Sequence, residues 1–149
     1  MKYGAGFFVL RDNADKGAHA IPISSQTVLV GDLLDLDIGA ANWTVAAASS
    51  VHSTRKAIAI ASATSSDSTV LAIILDGNED VQVQGANTSD SADNGDRMIL
   101  TDKNTVNNTG TDDANKEACF LQLGYVGETT DNQIWGRVLV GSGVNPDAT

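Results

Sequence analysis

The sequence predicts an all-β fold: a jelly-roll, β-sandwich or barrel-like single domain behind an extended N-terminal arm. Three observations carry that prediction. Roughly ten short apolar runs with alternating character recur at about 8–12-residue spacing, each bounded by Gly, Ser, Thr, Asn or Asp. The 19 acidic residues are 16 Asp and 3 Glu. Asp competes with the backbone for hydrogen bonds and collects in caps and turns, whereas Glu suits helix interiors. No long stretch repeats with the helical period, and the two prolines, Pro22 and Pro146, leave the central strands uninterrupted.

Residues 1–18 read as the arm, dotted with Gly, Asn and Asp around one apolar patch, Phe7-Phe8-Val9-Leu10. Fully extended, such an arm reaches about 60 Å. Its patch needs a surface, either its own domain or a neighbouring subunit. Deleting residues 1–18 is therefore expected to leave a folded domain without its binding partner. Residues 19–141 form the β domain, and 142–149 a frayed tail.

Within the domain, 18–24 alternates apolar and small residues. Residues 27–39 hold two strand candidates broken at Gly31-Asp32. In the second, Leu34, Leu36 and Ile38 share a face opposite Asp35 and Asp37, a strand with one wet side. Residues 42–48 repeat the pattern with Trp43, Val45 and Ala47. In 56–62, Ile58 and Ile60 oppose Ala57, Ala59 and Ala61. Residues 69–75, TVLAIIL, are apolar on both faces, which predicts a central strand between layers. A tight turn at Asp76-Gly77-Asn78 leads into 80–85. Polar loops at 86–96 and 109–117 frame short strands at 97–102 and 104–108. Residues 119–127 and 133–141 close the domain as a pair across a hairpin-length connector.

Composition excludes several classes. The formal net charge is −10, and nucleic-acid binding draws on clustered Lys and Arg. Only Arg55-Lys56 are adjacent among nine basic residues, so neither packaged nucleic acid nor an anionic membrane is an expected partner. No run approaches the ~18 apolar residues of a membrane helix, and the N-terminal apolar core is too short for a secretory signal. The three Asn-x-Ser/Thr sequons, at Asn42, Asn87 and Asn107, then read as plain surface Asn. Cys119 is the single cysteine, which precludes an internal disulfide and reads as a small buried hydrophobe.

Chemistry-bearing motifs are sparse. His19 and His52 are the only histidines, and no Gly-x-Ser-x-Gly elbow frames any serine. Asp76, Asn78 and Asp80 begin like a calcium loop, but Val81 and Asn87 stand where Gly and Glu are required. Asp12, Asn13 and Asp15, like Asp93, Asn94 and Asp96, supply oxygens without full ligand spacing. One Cys and two His do not complete a zinc set. Asp35/Asp37 and Asp112/Asp113 imitate a glycosidase pair but sit on a wet strand face and in a loop. No catalytic, metal or cofactor site is expected, and the chain reads as a non-enzyme. Trp43 and Trp135 lie inside strands and read as core, with carbohydrate stacking the use that exposure would permit.

Residues 20–141 contain Ser25-Gln26-Thr27-Val28-Leu29-Val30-Gly31-Asp32, then GDRMILTDKNTVN and FLQLGYVG…IWGRVLVG. Together these resemble the capsid decoration, or cement, proteins of tailed bacteriophages. The resemblance implies a structural virion protein, made in the host cytoplasm and placed on the outer capsid surface. There it would brace neighbouring major capsid subunits as a homo-oligomer, a trimer before a dimer. It makes Phe7, Phe8, Val9 and Leu10 the capsid-contact candidates. The other reading is a tail- or fibre-associated β-module that binds carbohydrate. A hydrolase built on His52 and an Asp is the third. A cement protein further predicts an exposed apolar patch facing the shell or a second copy.

Overall fold

The computed structural model describes residues 5–11, 17–37, 39–87, 93–107, 118–126 and 132–140. Among them the chain is all-β and barrel-like, with eleven strands in two sheets.

The first sheet contains β1 (Phe7–Arg11), β7 (Asp80–Gly85), β8 (Arg97–Asp102), β9 (Thr105–Asn107), β10 (Phe120–Tyr125) and β11 (Gln133–Val138). Their order is β1-β7-β11-β10-β8-β9, and β9 returns to pair with β7 in parallel. That last pairing closes β7, β11, β10, β8 and β9 into a five-stranded barrel, which removes their open edges. β1 and β9 divide one edge of β7: β1 takes residues 80–83 and β9 takes 84–85. Register shifts interrupt β1 between Val9 and Arg11, β8 between Leu100 and Asp102, and β10 between Gln122 and Gly124. Such bulges add the bend that a small barrel requires.

The second sheet contains β2 (His19–Pro22), β3 (Leu33–Asp37), β4 (Asn42–Val45), β5 (Lys56–Ala59) and β6 (Thr69–Ile74), in the order β2-β6-β5-β3-β4. It also curls toward closure. Ile23 bridges Trp43 in parallel, joining the chain after β2 to β4. Gln26 extends the join: its Nε2 donates to Trp43 O at 2.5 Å and its Oε1 accepts from Val45 N at 3.0 Å. One side chain thus stands in for a strand along that edge. Val28 and Ala63 exchange both backbone hydrogen bonds at 2.9 Å, laying residues 23–30 over the second face.

Two apolar clusters result. One joins the barrel's Val81, Val83, Leu100, Phe120 and Ile134 to Leu33, Ile58 and Leu75 beside it. The other lies inside the curled sheet, around Ile21, Val28, Leu34, Trp43, Ala57 and Val70. This explains why β5 is buried along its whole length: its two faces serve different cores.

The structure changes several sequence-based assignments. Phe7 has no solvent exposure and meets Phe120 edge-on, with centroids 6.3 Å apart at 63°. Residues 7–11 are therefore a strand of the domain itself, so of the two surfaces open to the patch, Phe7 takes its own domain. Of the two strands expected in 27–39, only β3 forms, because Val28 is spent on the isolated bridge to Ala63. The turn after β6 is present, with Gly77 at φ +93°. Glu79 closes it by accepting from Asp76 N and Gly77 N at 3.1 and 3.0 Å. Yet β6 and β7 enter different sheets, so it is a crossing between layers instead of a hairpin. β6 pairs on both edges, but Leu71 on one face is 42% exposed. Ile38, most of loops 86–96 and 109–117, and the tail lie outside the described residues.

Candidate interaction surface

The segment Gly31-Asp32 is the hub that seats β1. Gly31 O accepts from Phe7 N at 2.8 Å, and Gly31 N donates to Ala59 O at 2.9 Å. Gly6 N donates to Asn104 O, and Leu33 N to Lys103 O, each at 2.8 Å. Asp32 is buried, and its Oδ2 receives both Leu29 N and Lys103 Nζ at 2.8 Å. The arm, the curled sheet and the β8–β9 turn are therefore tied at one junction. Gly31 has φ +91°, and a Cβ there would stand 3.1 Å from the Gly6 backbone; the position needs glycine for both conformation and space.

Past this junction β1 diverges from the curled sheet and leaves an apolar groove of about 250 Å³. Its walls include Phe8, Val9, Val30, Ile58, Ile60 and Ile73. Val30 and Ile60 in that lining are exposed, Val30 at 52%; Leu10 follows Val9, Leu29 precedes Val30, and both are exposed, as is Leu71. Ile60 N donates to Leu71 O at 3.0 Å, which holds those two side by side. Large apolar residues exposed in a group mark interaction surfaces more often than single ones do.

Of the four contact candidates, the structure brings Phe8 and Val9 to the groove, leaves Leu10 exposed at the end of β1, and sinks Phe7 into the core. Sequence reasoning missed Val30, Ile60, Leu71 and Ile73. For Leu71 and Ile73 the signal was present in TVLAIIL, an apolar run read as buried on both faces; Val30 and Ile60 lie in other strand candidates.

The other candidates have structural partners. Asp35 Oδ1 lies 2.8 Å from Lys56 Nζ and accepts from Thr54 Oγ1 at 3.0 Å, while Ser50 Oγ donates to Asp35 Oδ2. Asp37 Oδ1 accepts from Ala40 N at 3.2 Å. Asp76 Oδ1 accepts from Asn78 N at 2.9 Å, and Asp80 pairs with Arg137 at 3.1 Å. Asp12, Asn13, Asp15, Asp112 and Asp113 lie outside the described residues. His19 is exposed on β2 and His52 half-buried in a turn. Among the described residues no three His, Cys, Asp or Glu gather as a metal site, and no helix is long and apolar enough to cross a membrane. Cys119 is buried, with its Sγ 3.3 Å from Ser50 O. Trp43 is buried in the second core, and Trp135 lies against Gly124, where a Cβ would come 2.3 Å from the indole nitrogen. Trp43 is thus closed to carbohydrate stacking, whereas Trp135 is partly exposed.

The chain matches no family model, and it finds no significant match among curated proteins or among solved structures.

Proposed function

We propose that this chain is a structural virion protein that binds the outer surface of a phage capsid and cements neighbouring major capsid subunits. The observation that carries the reading is the groove beside β1, with Val30 and Ile60 exposed in its lining and Leu71 exposed next to Ile60, on an otherwise acidic domain. Isolated in water, these side chains leave apolar area unburied; a shell subunit would cover it, at about 25 cal/mol for each Å² removed from water. The net charge of −10 suits an outer face better than contact with packaged DNA. The phrase Ser25 to Asp32, on which the resemblance to cement proteins rests, supplies the Gln26 edge clamp and the Asp32 hub. Its residues therefore serve the fold that displays the surface. Copies grouped as trimers at a local symmetry axis are the expected arrangement.

Co-sedimentation with undecorated phage heads, followed by electron microscopy of the pellet, tests the reading. Ordered density at symmetry axes with the groove against the shell is expected. A double substitution of Ile60 and Leu71 by Asp should cut occupancy while leaving the fold intact. Wild-type protein that stays in the supernatant with heads of its own phage would refute the cement role.

A further inference from the structure

The backbone of β1 identifies what the groove accepts. Residue pairs along an antiparallel ladder alternate, one pair exchanging hydrogen bonds and the next pointing its N–H and C=O groups away from each other. Phe7 N–H points away from β7, because it donates to Gly31 O at 2.8 Å. Phe7↔Val83 is then an outward-pointing pair, and so is Val9↔Val81, two residues on. The far side of β7 agrees: Gly85 N donates to Asn132 O beside β11, and Ala86 N to Val106 O of β9. Odd-numbered residues of β7 thus face β11 and even-numbered ones face β1 and β9. Phe8 turns its backbone toward Gln82, while Val9 turns both its N–H and its C=O to the side occupied by Gly31, where the groove lies. No described residue bonds to those two groups.

We infer that the groove is a strand-addition site, and that its occupant is an extended segment of a different protein, uncharged or basic, with apolar side chains at alternate positions. This rests on the reading of the groove as the shell-binding surface and specifies the partner. An added strand lies about 4.8 Å from β1 and meets the Val9 N–H and C=O with main-chain bonds. Its apolar side chains then fall on Ile60 and Ile73, which form the facing wall. The sign of charge sets the partner. Two copies of this chain would bring together two net charges of −10, whereas a neutral or basic segment meets no such repulsion.

Val9→Pro isolates the claim. It deletes only the outward N–H, keeps every bond to β7, and places proline on an edge strand where it is tolerated. Ile60→Lys is the second variant; it fills the groove with charge without touching β1. Two binding assays are run on wild type and both variants. The first is sedimentation with undecorated heads. The second is titration with a fluorescently labelled synthetic peptide of about eight residues alternating Val and Thr between terminal lysines, read by anisotropy in all three proteins and by Val9 amide exchange in wild type and Ile60→Lys, and compared with a Glu-flanked version. The inference expects both variants to keep the wild-type thermal transition within a few degrees and to lose peptide binding at least about tenfold, with the Lys-flanked peptide preferred at low salt. Heads that bind wild type and Val9→Pro equally would overturn strand addition while leaving the cement role standing. Heads that ignore wild type, while the Lys-flanked peptide protects the Val9 amide, would remove the cement role and keep strand addition. No protection of Val9 by the peptide and no Val9→Pro effect on head binding would overturn the inference outright. So would a concentration-dependent dimer that Val9→Pro abolishes, because the occupant would then be a second copy.

Discussion

Lys56 Nζ lies 2.8 Å from Asp35 Oδ1, and the lysine side chain has no solvent exposure. Val51 O and Thr54 Oγ1 accept its other hydrogen bonds, with Thr54 O a longer contact at 3.4 Å. The pair therefore organises the connection between β4 and β5 around one buried cation. Removing one member of a buried pair strands the other, at a cost of about 3–5 kcal/mol. Asp35→Asn should cost in that range, because Lys56 would keep a buried charge with neutral acceptors alone. Lys56→Met should cost less, about 1–2 kcal/mol, since Asp35 is 19% exposed and retains its Ser50 and Thr54 donors. Urea unfolding of the two variants checks the order; equal losses would contradict it.

Phe7 is a core residue, so truncation of the N-terminal segment affects stability before it affects binding. Phe7→Ala should destabilise the domain by about 3–5 kcal/mol, as large-to-small changes in a packed core do. Leu10→Ala, at 40% exposure, should change stability by under about 0.5 kcal/mol. Thermal unfolding of both variants separates the buried end of β1 from its displayed end.

Gly136 admits no side chain. A Cβ there would stand 1.8 Å from Leu121 O on the paired strand. The obstruction is backbone, so the β10–β11 ladder would have to open. Gly136→Ala should cost about 3 kcal/mol or more and lower the soluble yield. A variant with the wild-type melting temperature would contradict the observed register.

Gln26 closes the edge of β4 through two hydrogen bonds. Gln26→Ala should cost about 1–3 kcal/mol, because Val45 N and Trp43 O lose their partners. The effect is local: amide exchange should accelerate at Val45 more than at Val81, inside the barrel cluster. Uniform acceleration would mean that the clamp serves the whole domain.

Local alternation placed most strands well. β7 and β8 form over the residues where the pattern alone puts them, 80–85 and 97–102, and β10 and β11 pair as expected. The period of two is a property of neighbouring residues, so it survives whatever the chain does elsewhere. Cys119 and Trp43 also lie where their apolar surroundings suggested.

What the tertiary structure decided is which sheet each strand joins, and from that which apolar residues stay uncovered. Asp76-Gly77-Asn78 encodes a turn, but whether the flanking strands pair or part depends on β7 finding β11 and β1 while β6 finds β5 and β2. Those partners are distant in sequence, and alternation carries no label for them. The same holds for the site. Phe7 and Phe8 are adjacent and chemically identical, yet Phe7 is fully buried in the core while Phe8 stays partly exposed at the groove, because pairing with β7 sets which way each points. Leu71 reads as interior in sequence, in a run apolar on both faces, yet it is exposed, as is Ile60, whose backbone N–H donates to Leu71 O. Strands, turns and the sign of the charge are legible in the residues alone, since these are local or additive. The groove, the buried Lys56 and the outward edge of Val9 arise from long-range packing, which only the folded chain specifies.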